Sequence, residues 1–237
     1  MSLNAFWFQG VPFEGTDPSD PRPDVLRDVA EALEKLSPDV LCLQEVQSQR
    51  AFEAVREAFD ALPHAAYASG AVFPQYGVVT LSRDPITVIA ATSDVQPPPQ
   101  RAFLAVRVGS LVVANVHLPS GRLIGKNEAR TLRVDELTRL LRACGRVDVW
   151  LGDTNDPPGG AVDVCSARHG FRDAAVLTAG EELPTNASGT FRGDRISVSA
   201  DLASALEAYA VLPAHRFHTH EGRSLSDHLP LWIDLAL

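Results

Sequence analysis

Apolar positions recur along this chain in two rhythms. Leu26, Val29, Ala30, Leu33 and Leu36 fall at helical spacing, and Pro38 ends that segment. Phe52, Val55, Phe59 and Leu62 mark a second helix; Ala129, Leu132, Leu137, Leu140 and Leu141 mark a third. Between them lie short, continuous apolar runs of the buried-strand type: Val40 to Leu43, Val78 to Leu81, Ile86 to Ile89 and Val147 to Leu151. Phe6 to Phe8 reads as a first short strand, followed by a polar, Pro-rich loop from Gly10 to Pro23. Phe103 to Val108 and Leu111 to His117 flank Gly109-Ser110, a two-residue hairpin signal. After Gly159 the pattern weakens, with strands expected near Ile196 to Val198 and Leu229 to Leu235. Strands mixed with helices, some in hairpins, imply a mixed sheet packed by helices. No repeat or linker interrupts the pattern, so residues 1–237 are expected to form one domain.

Composition narrows this picture. Hydrophobic residues are 45% and charged residues 22%, which excludes a disordered chain. No apolar run approaches the ~20 residues of a membrane span, and no basic stretch with an apolar core opens the chain as a secretory signal would. Met1-Ser2-Leu3 reads as a cloning scar that could have replaced such a signal. Cys42, Cys144 and Cys165 are an odd number at irregular spacing. That suggests a reducing compartment, cytoplasmic on this reading, and neither a disulfide framework nor a zinc site. The net charge of -9 argues against coating nucleic acid by charge alone. It does not exclude an enzyme that holds a phosphate ester through a metal ion. Lys35 and Lys126 are the only lysines; the arginine bias is what a GC-rich genome produces, although arginine also suits phosphate.

Polar residues gather where apolar strands end. Leu43 runs into Gln44-Glu45, Val116 into His117, and Leu151 into Gly152-Asp153-Thr154-Asn155. Strand ends put side chains at the rim of a sheet, where rigid backbone can position reactive groups. Carboxylates, an amide and imidazoles gathered there suit a hard divalent cation with oxygen ligands, which would neutralise a phosphate ester and its leaving oxygen.

Five pieces in order carry a resemblance: Leu43-Gln44-Glu45-Val46, Val116-His117-Leu118, Gly152-Asp153-Thr154-Asn155, Asp194-Arg195-Ile196 and Ser226-Asp227-His228-Leu229-Pro230. The chain resembles the endonuclease/exonuclease/phosphatase superfamily of Mg²⁺-dependent, DNase I-like phosphoesterases. The stretch from Tyr76 to Ile86 also fits its middle. The resemblance implies an α+β fold: a two-layer mixed β-sandwich flanked by helices, in four layers. It implies hydrolysis of a phosphate ester by in-line attack of an activated water, with Mg²⁺ or Mn²⁺ as cofactor. Glu45 and Asp227 would be metal ligands. His228 would bind a non-bridging oxygen or take part in proton transfer, with Asp194 on its other ring nitrogen. Asp153 would orient or deprotonate the water, Asn155 would hold a phosphate oxygen, and His117 would donate to the phosphate. The wording of Gly-Asp-Thr-Asn and Asp-Arg-Ile is similar to the branch containing the second type of tyrosyl-DNA phosphodiesterase. The expected partner is a phosphate-ester substrate such as a nucleic acid or nucleotide, with no membrane, acted on by a monomer.

One departure stands out. The family usually has an Asn at the end of the first strand, and in Phe6-Trp7-Phe8-Gln9-Gly10 that position is Trp7. An indole cannot bind Mg²⁺ through oxygen. Asn4, three residues earlier, would need a different register. The expectation is therefore loss of the amide and a weakly held metal. The same feature motivates an alternative, a catalytically weakened member that binds a phosphorylated ligand or a protein partner. Other residues carry weaker signals. Asn115 reads as structural, Asp156 equally as a turn residue, and Trp150 and Trp232 as core. His218 and His220 could share a strand face and chelate a softer metal, and Arg101, Arg122 and Arg223 could meet substrate phosphates.

Overall fold

The apolar runs pair into two sheets that face one another in a computed structural model, which describes residues 1–13, 20–178 and 183–237. The first sheet contains β1 (Ser2–Asn4), β2 (Val40–Val46), β3 (His64–Ala68), β4 (Gly77–Ser82), β11 (Leu206–Val211) and β12 (Leu231–Leu235), in the order β11-β12-β1-β2-β4-β3. The second contains β5 (Ile86–Ala91), β6 (Phe103–Val108), β7 (Leu111–His117), β8 (Val149–Asp153), β9 (Phe171–Asp173) and β10 (Asp194–Ser199), in the order β5-β6-β7-β8-β10-β9. Both sheets are mixed: β1–β2 and β7–β8 are parallel, and every other pair is antiparallel.

Period-two alternation assigns the faces. In β6, β7 and β8, Leu104, Val106, Val113, Val149 and Leu151 enter the core between the sheets. Their neighbours Phe103, Ala105, Val112, Ala114, Val116 and Trp150 enter a second core, shared with Leu137, Leu140, Val162 and Cys165. Those last four lie on α4 (Lys126–Cys144) and α5 (Ala161–Arg168), which cover the outer face of the second sheet. The first sheet is covered by α1 (Pro23–Glu34), through Val25, Leu26, Val29 and Leu33, and by α2 (Gln49–Ala58), through Ala51 and Val55. Ser48 caps α2, its Oγ accepting from Ala51 N at 3.0 Å. The indole of fully buried Trp150 donates to Ser166 Oγ at 3.1 Å, so its burial strands no polar group.

A polar cluster crosses the core between the sheets. Gln44 Nε2 donates to Asn115 Oδ1 at 2.8 Å, and Asn115 Nδ2 donates to the Val79 and Leu43 carbonyls at 2.9 and 3.1 Å. Both residues are fully buried, and leaving either unpaired would cost about 1–3 kcal/mol. The contact therefore fixes how β2 sits across from β7. Asn115 commits its side chain to this contact, in keeping with the structural reading.

One expectation about elements changes. The first strand is Ser2–Asn4, not Phe6–Phe8, and it pairs on both sides, so Ser2 and Leu3 are part of the sheet. Phe6, Trp7 and Phe8 have φ of 48, 54 and 56° and form a tight turn. Their rings pack together instead of pairing as a strand: Phe6 stacks on Trp7 with centroids 5.5 Å apart, and Trp7 meets Phe13 and Tyr76. The strands before and after Ser82-Arg83-Asp84-Pro85 belong to different sheets, so that turn carries the chain across the sandwich. Positions 14–19 of the Pro-rich loop lie outside the described residues. The three cysteines are free, and among the described residues no helix is long and apolar enough to cross a membrane. Trp232, half-buried, packs on the edge of the main core.

Candidate active site

The strand register assembles the site. β7 and β8 run parallel with His117 opposite Asp153, and β10 runs antiparallel to β8 with Asp194 opposite Asp153. Asp153 therefore sits between an imidazole and a carboxylate at one rim. In the facing sheet, parallel pairing sets Asn4 opposite Gln44, so β1 and β2 end at the same rim. Close packing of β7 on β8 requires Gly152. Its φ is 137°, and an added Cβ would run into the Val116 carbonyl oxygen.

Glu45 reaches the site through a bulge. Strict alternation would turn it away from the face Gln44 occupies. Instead the β2–β4 register shifts between Gln44 and Val46, and Glu45 adopts φ 58°. Its carboxylate then lies 3.8 Å from His117 Nε2 and 3.9 Å from Arg101 Nη1.

Asp153 is the hub. Its Oδ2 accepts from Asn4 Nδ2 at 3.1 Å and from Asn155 Nδ2 at 3.1 Å, and lies 3.3 Å from His117 Nε2 and 3.9 Å from His228 Nε2. Its Oδ1 accepts from Asn155 N at 2.9 Å in an Asx turn. Asn155 itself adopts φ 51°, which Asn tolerates better than most residues. His228 Nδ1 bonds Asp194 Oδ2 at 2.9 Å, and Thr185 Oγ1 donates to the same oxygen at 2.6 Å. The other face of the imidazole points toward Asp227 Oδ1, 3.9 Å away. Arg101 contacts His117 Nε2 and lies over the Tyr76 ring at 4.2 Å from its centroid.

Electrostatics divides these groups. Burial pushes the Glu45 carboxyl up to about 7, with Arg101 opposing and the Asp227 charge adding to the rise. Burial also raises Asp153, but the His117 hydrogen bond and the charges of His228 and Arg101 outweigh it and hold the carboxyl well below the usual range. His117 falls to about 3 through burial and the Arg101 charge, so it is neutral at pH 7. Burial lowers His228, yet the charges of Asp194 and Asp153 dominate and raise it well above an ordinary histidine. The rim thus holds a permanent carboxylate, a neutral imidazole, a persistent imidazolium and a carboxyl poised near neutrality.

All seven of the sequence-derived candidates meet here: Glu45, His117, Asp153, Asn155, Asp194, Asp227 and His228 at one rim, with Asp194 buried behind His228 rather than paired at the surface. An eighth residue joins them, one that the sequence pattern placed out of register. Asn4, not Trp7, ends the first strand and faces the site; its side chain bonds both Asp153 and Glu45. Trp7 lies in the turn beyond, its Nε1 donating to the Gln75 carbonyl at 2.9 Å. The expected loss of the amide is therefore corrected: the register is the one that places Asn4 at the strand end. Arg101 also belongs to the site. Arg223 pairs instead with Glu221 at the surface, and Asp156 binds Arg133 at 2.8 Å and the amide of Val162 in α5. Among the described residues, the groups able to bring three potential metal ligands together are Glu45-His117-Asp153 and Asp153-Asp194-His228; neither includes His218 or His220.

The donor set fits a hard divalent cation. Glu45 and Asp227 bring like charges together, and Asp227 Oδ1 is buried without a hydrogen-bond partner. A buried carboxylate oxygen without a partner, near a second carboxyl that feels its charge, calls for a cation with oxygen preference, although Asp227 is in neither of the three-ligand groups centred on Asp153.

Comparison with known proteins places the fold and the family. The chain is similar in fold to a 3′ phosphatase from Neisseria solved with a product DNA hairpin (20% identity, 90% of this chain and 94% of that one, TM-score 0.70). It is also similar to a mannosyl-6-phosphatase of Bacteroides thetaiotaomicron (16%, 90% and 90%, 0.68), and to D. rerio TDP2 humanised by 14 mutations (18%, 90% and 92%, 0.64). No curated protein sequence matches it. The sequence model of the Endonuclease/Exonuclease/phosphatase family matches residues 1–228, a span that runs from the strand carrying Asn4 to His228, and the chain belongs to that family.

Proposed function

We propose that this protein hydrolyses a phosphate ester with the help of Mg²⁺ or Mn²⁺, by in-line attack of water. The observation that carries the reading is Asp153 as a shared acceptor for Asn4, Asn155 and His117, 3.9 Å from the His228 imidazole. When bound by Glu45 and Asp227, with Asn4 alongside, the cation supplies charge neutralisation at the phosphate and its leaving oxygen.

The chain's own groups have distinct tasks. A carboxylate held as low as Asp153 is a weak base but a permanent acceptor, so it orients an attacking water through one O–H. Asn155 and Asn4 fix that carboxylate from two sides. His228, kept protonated by Asp194, donates from Nε2 to a non-bridging oxygen and meets charge that grows in the transition state. Arg101 presents a second fixed cation, and neutral His117 holds Asp153 in place.

The reading of the chain as a weakened, non-catalytic binder rested on Trp7 in the Asn position, and Asn4 removes that motive. Release of p-nitrophenol from bis-p-nitrophenyl phosphate tests the proposal, with Mg²⁺ and Mn²⁺ compared. The expected result is turnover with either ion and loss of at least ~10²-fold in His228→Ala. No turnover with either ion, or turnover that survives His228→Ala unchanged, would overturn it.

A further inference from the structure

A long cleft adjoins the site and has a charge opposite to that of the protein. It opens at Asn155 and Ser120 and continues between α4 and α5, with a volume of about 1170 Å³. That exceeds the roughly 300–1,000 Å³ of a small-molecule pocket. Arg122, in the short helix α3 (Gly121–Ile124), lines it with Lys126, Arg130 and Arg142 of α4 and Arg168 of α5. All five are exposed, and none pairs with a carboxylate among the described residues. Asp156 is the one carboxylate among the described lining residues, and Arg133 and the Val162 amide take up its two oxygens. In a chain of net charge -9, five unpaired cations along one groove are a local reversal of sign.

The cations are spread lengthwise. Lys126 and Arg130 lie one turn apart on α4, and Arg142 lines the same cleft about three turns further on, so together they extend over about 24 Å at ~1.5 Å per residue. At the ~3.4 Å rise of a stacked strand, that length passes roughly seven phosphates. A single phosphorylated sugar would use one end of it. Phe191, 39% exposed, stands at the site end of the cleft and offers a ring for a base to stack on. We infer that the α4–α5 cleft binds the phosphates of a single-stranded polynucleotide whose reacting ester enters the adjoining site. The inference rests on the proposed phosphoesterase reading for the last step only.

Fluorescence anisotropy with a labelled 16-nucleotide single strand, in EDTA so that no hydrolysis occurs, reads the cleft alone. DNA and RNA arms identify which strand is preferred. Five contacts predict an affinity that falls roughly a hundredfold between ~50 and ~200 mM salt, from a slope near -0.7 per contact. The triple variant Arg130→Glu, Arg142→Glu, Arg168→Glu should fall by about sevenfold or less over that range and bind far more weakly at low salt. It should retain wild-type turnover of bis-p-nitrophenyl phosphate. A control triple, Arg56→Glu, Arg107→Glu, Arg172→Glu, carries the same net charge and should bind like wild type. Arg130→Ala alone should lower the slope by about 0.7. Wild-type affinity in the cleft triple, equal loss in the control triple, or a blunt duplex binding as tightly as the single strand would overturn the proposal. Strand binding without any turnover would leave the cleft standing and defeat the phosphoesterase reading; turnover without strand binding would do the reverse.

Discussion

Glu45 couples metal binding to protonation, and the size of the effect follows from its surroundings. The carboxyl is 7% exposed and stands at about 7 against an ordinary 4.5. Because so little of it is exposed, solvent and salt screen the effect weakly. A cation must displace the proton that Glu45 carries below that value. Apparent Mg²⁺ affinity should therefore be flat above about pH 7 and fall about tenfold for each pH unit below it. The same shift has a stability consequence. The folded state holds this proton more tightly than the unfolded chain, so its contribution is fully favourable below about 4.5 and is lost as pH rises to about 7. The loss is about 3 kcal/mol, from 1.36 kcal/mol per pKa unit. Metal-free protein should thus gain stability on Glu45→Gln at pH 8 and gain little at pH 4, while Mg²⁺ should stabilise wild type at pH 8 and not the variant. Calorimetric titration of Mg²⁺ from pH 5.5 to 8.5, in two buffers of different ionisation enthalpy, measures affinity and proton release together. Equal affinity at pH 6 and pH 8, with no proton released at pH 6, would refute the reasoning.

Asn4→Ala should weaken Mg²⁺ binding about 10–100-fold, as expected when a group orienting a ligand is removed, whereas Trp7→Phe should change it less than about threefold; calorimetry that ranks the two in the opposite order would restore Trp7 to the Asn position. Asp194→Asn removes the charge that keeps His228 protonated, a bond to a charged group of about 1.5–3 kcal/mol. The alkaline limb of the kcat/KM profile should therefore move down by one to two pH units, and an unmoved limb would separate Asp194 from the imidazole. Gly152→Ala forces a Cβ into the Val116 carbonyl at a positive φ, which should cost about 3 kcal/mol or more and lower Tm by at least about 6 °C in a thermal melt.

Much of this site was legible because its residues end strands whose apolar runs are unambiguous. His117 and Asp153 follow directly from the alternation of β7 and β8, and their pairing follows once the strands are taken as parallel neighbours. Asn4 was not legible for the opposite reason. Its strand has only three residues, and the aromatic triplet after it has a stronger apolar signal than the strand itself. A strand so short is defined by pairing with β2 and β12, which are distant in sequence. The bulge at Glu45 was hidden for a related reason: periodicity counts positions and cannot register an extra residue. The basic cleft needed the structure as well. Its cations are spread from Arg122 to Arg168, across three helices, and a net charge of -9 conceals them.

The strained backbone of this molecule is concentrated at the same rim. Of the six described non-glycine residues with positive φ, Phe6, Trp7 and Phe8 lie just beyond Asn4 and Ala5, Glu45 is a proposed ligand and Asn155 holds Asp153; Ser37 alone lies elsewhere. Each such conformation costs of order 1 kcal/mol or more outside glycine. Relaxing them would return Glu45 to the helix-covered face of its sheet and let the chain after Asn4 continue as a strand, past the site. The surrounding structure holds them in place: the Asn4 Oδ1 bond to Phe6 N at 3.0 Å, the aromatic cluster around Trp7, and the Asx turn at Asp153. Two sheets locked by Gln44 and Asn115 supply the rigid frame against which those turns can be bent. The arrangement explains why carboxylates that would repel one another in a relaxed fold remain close: separating them would require undoing turns that the core packing on either side keeps closed.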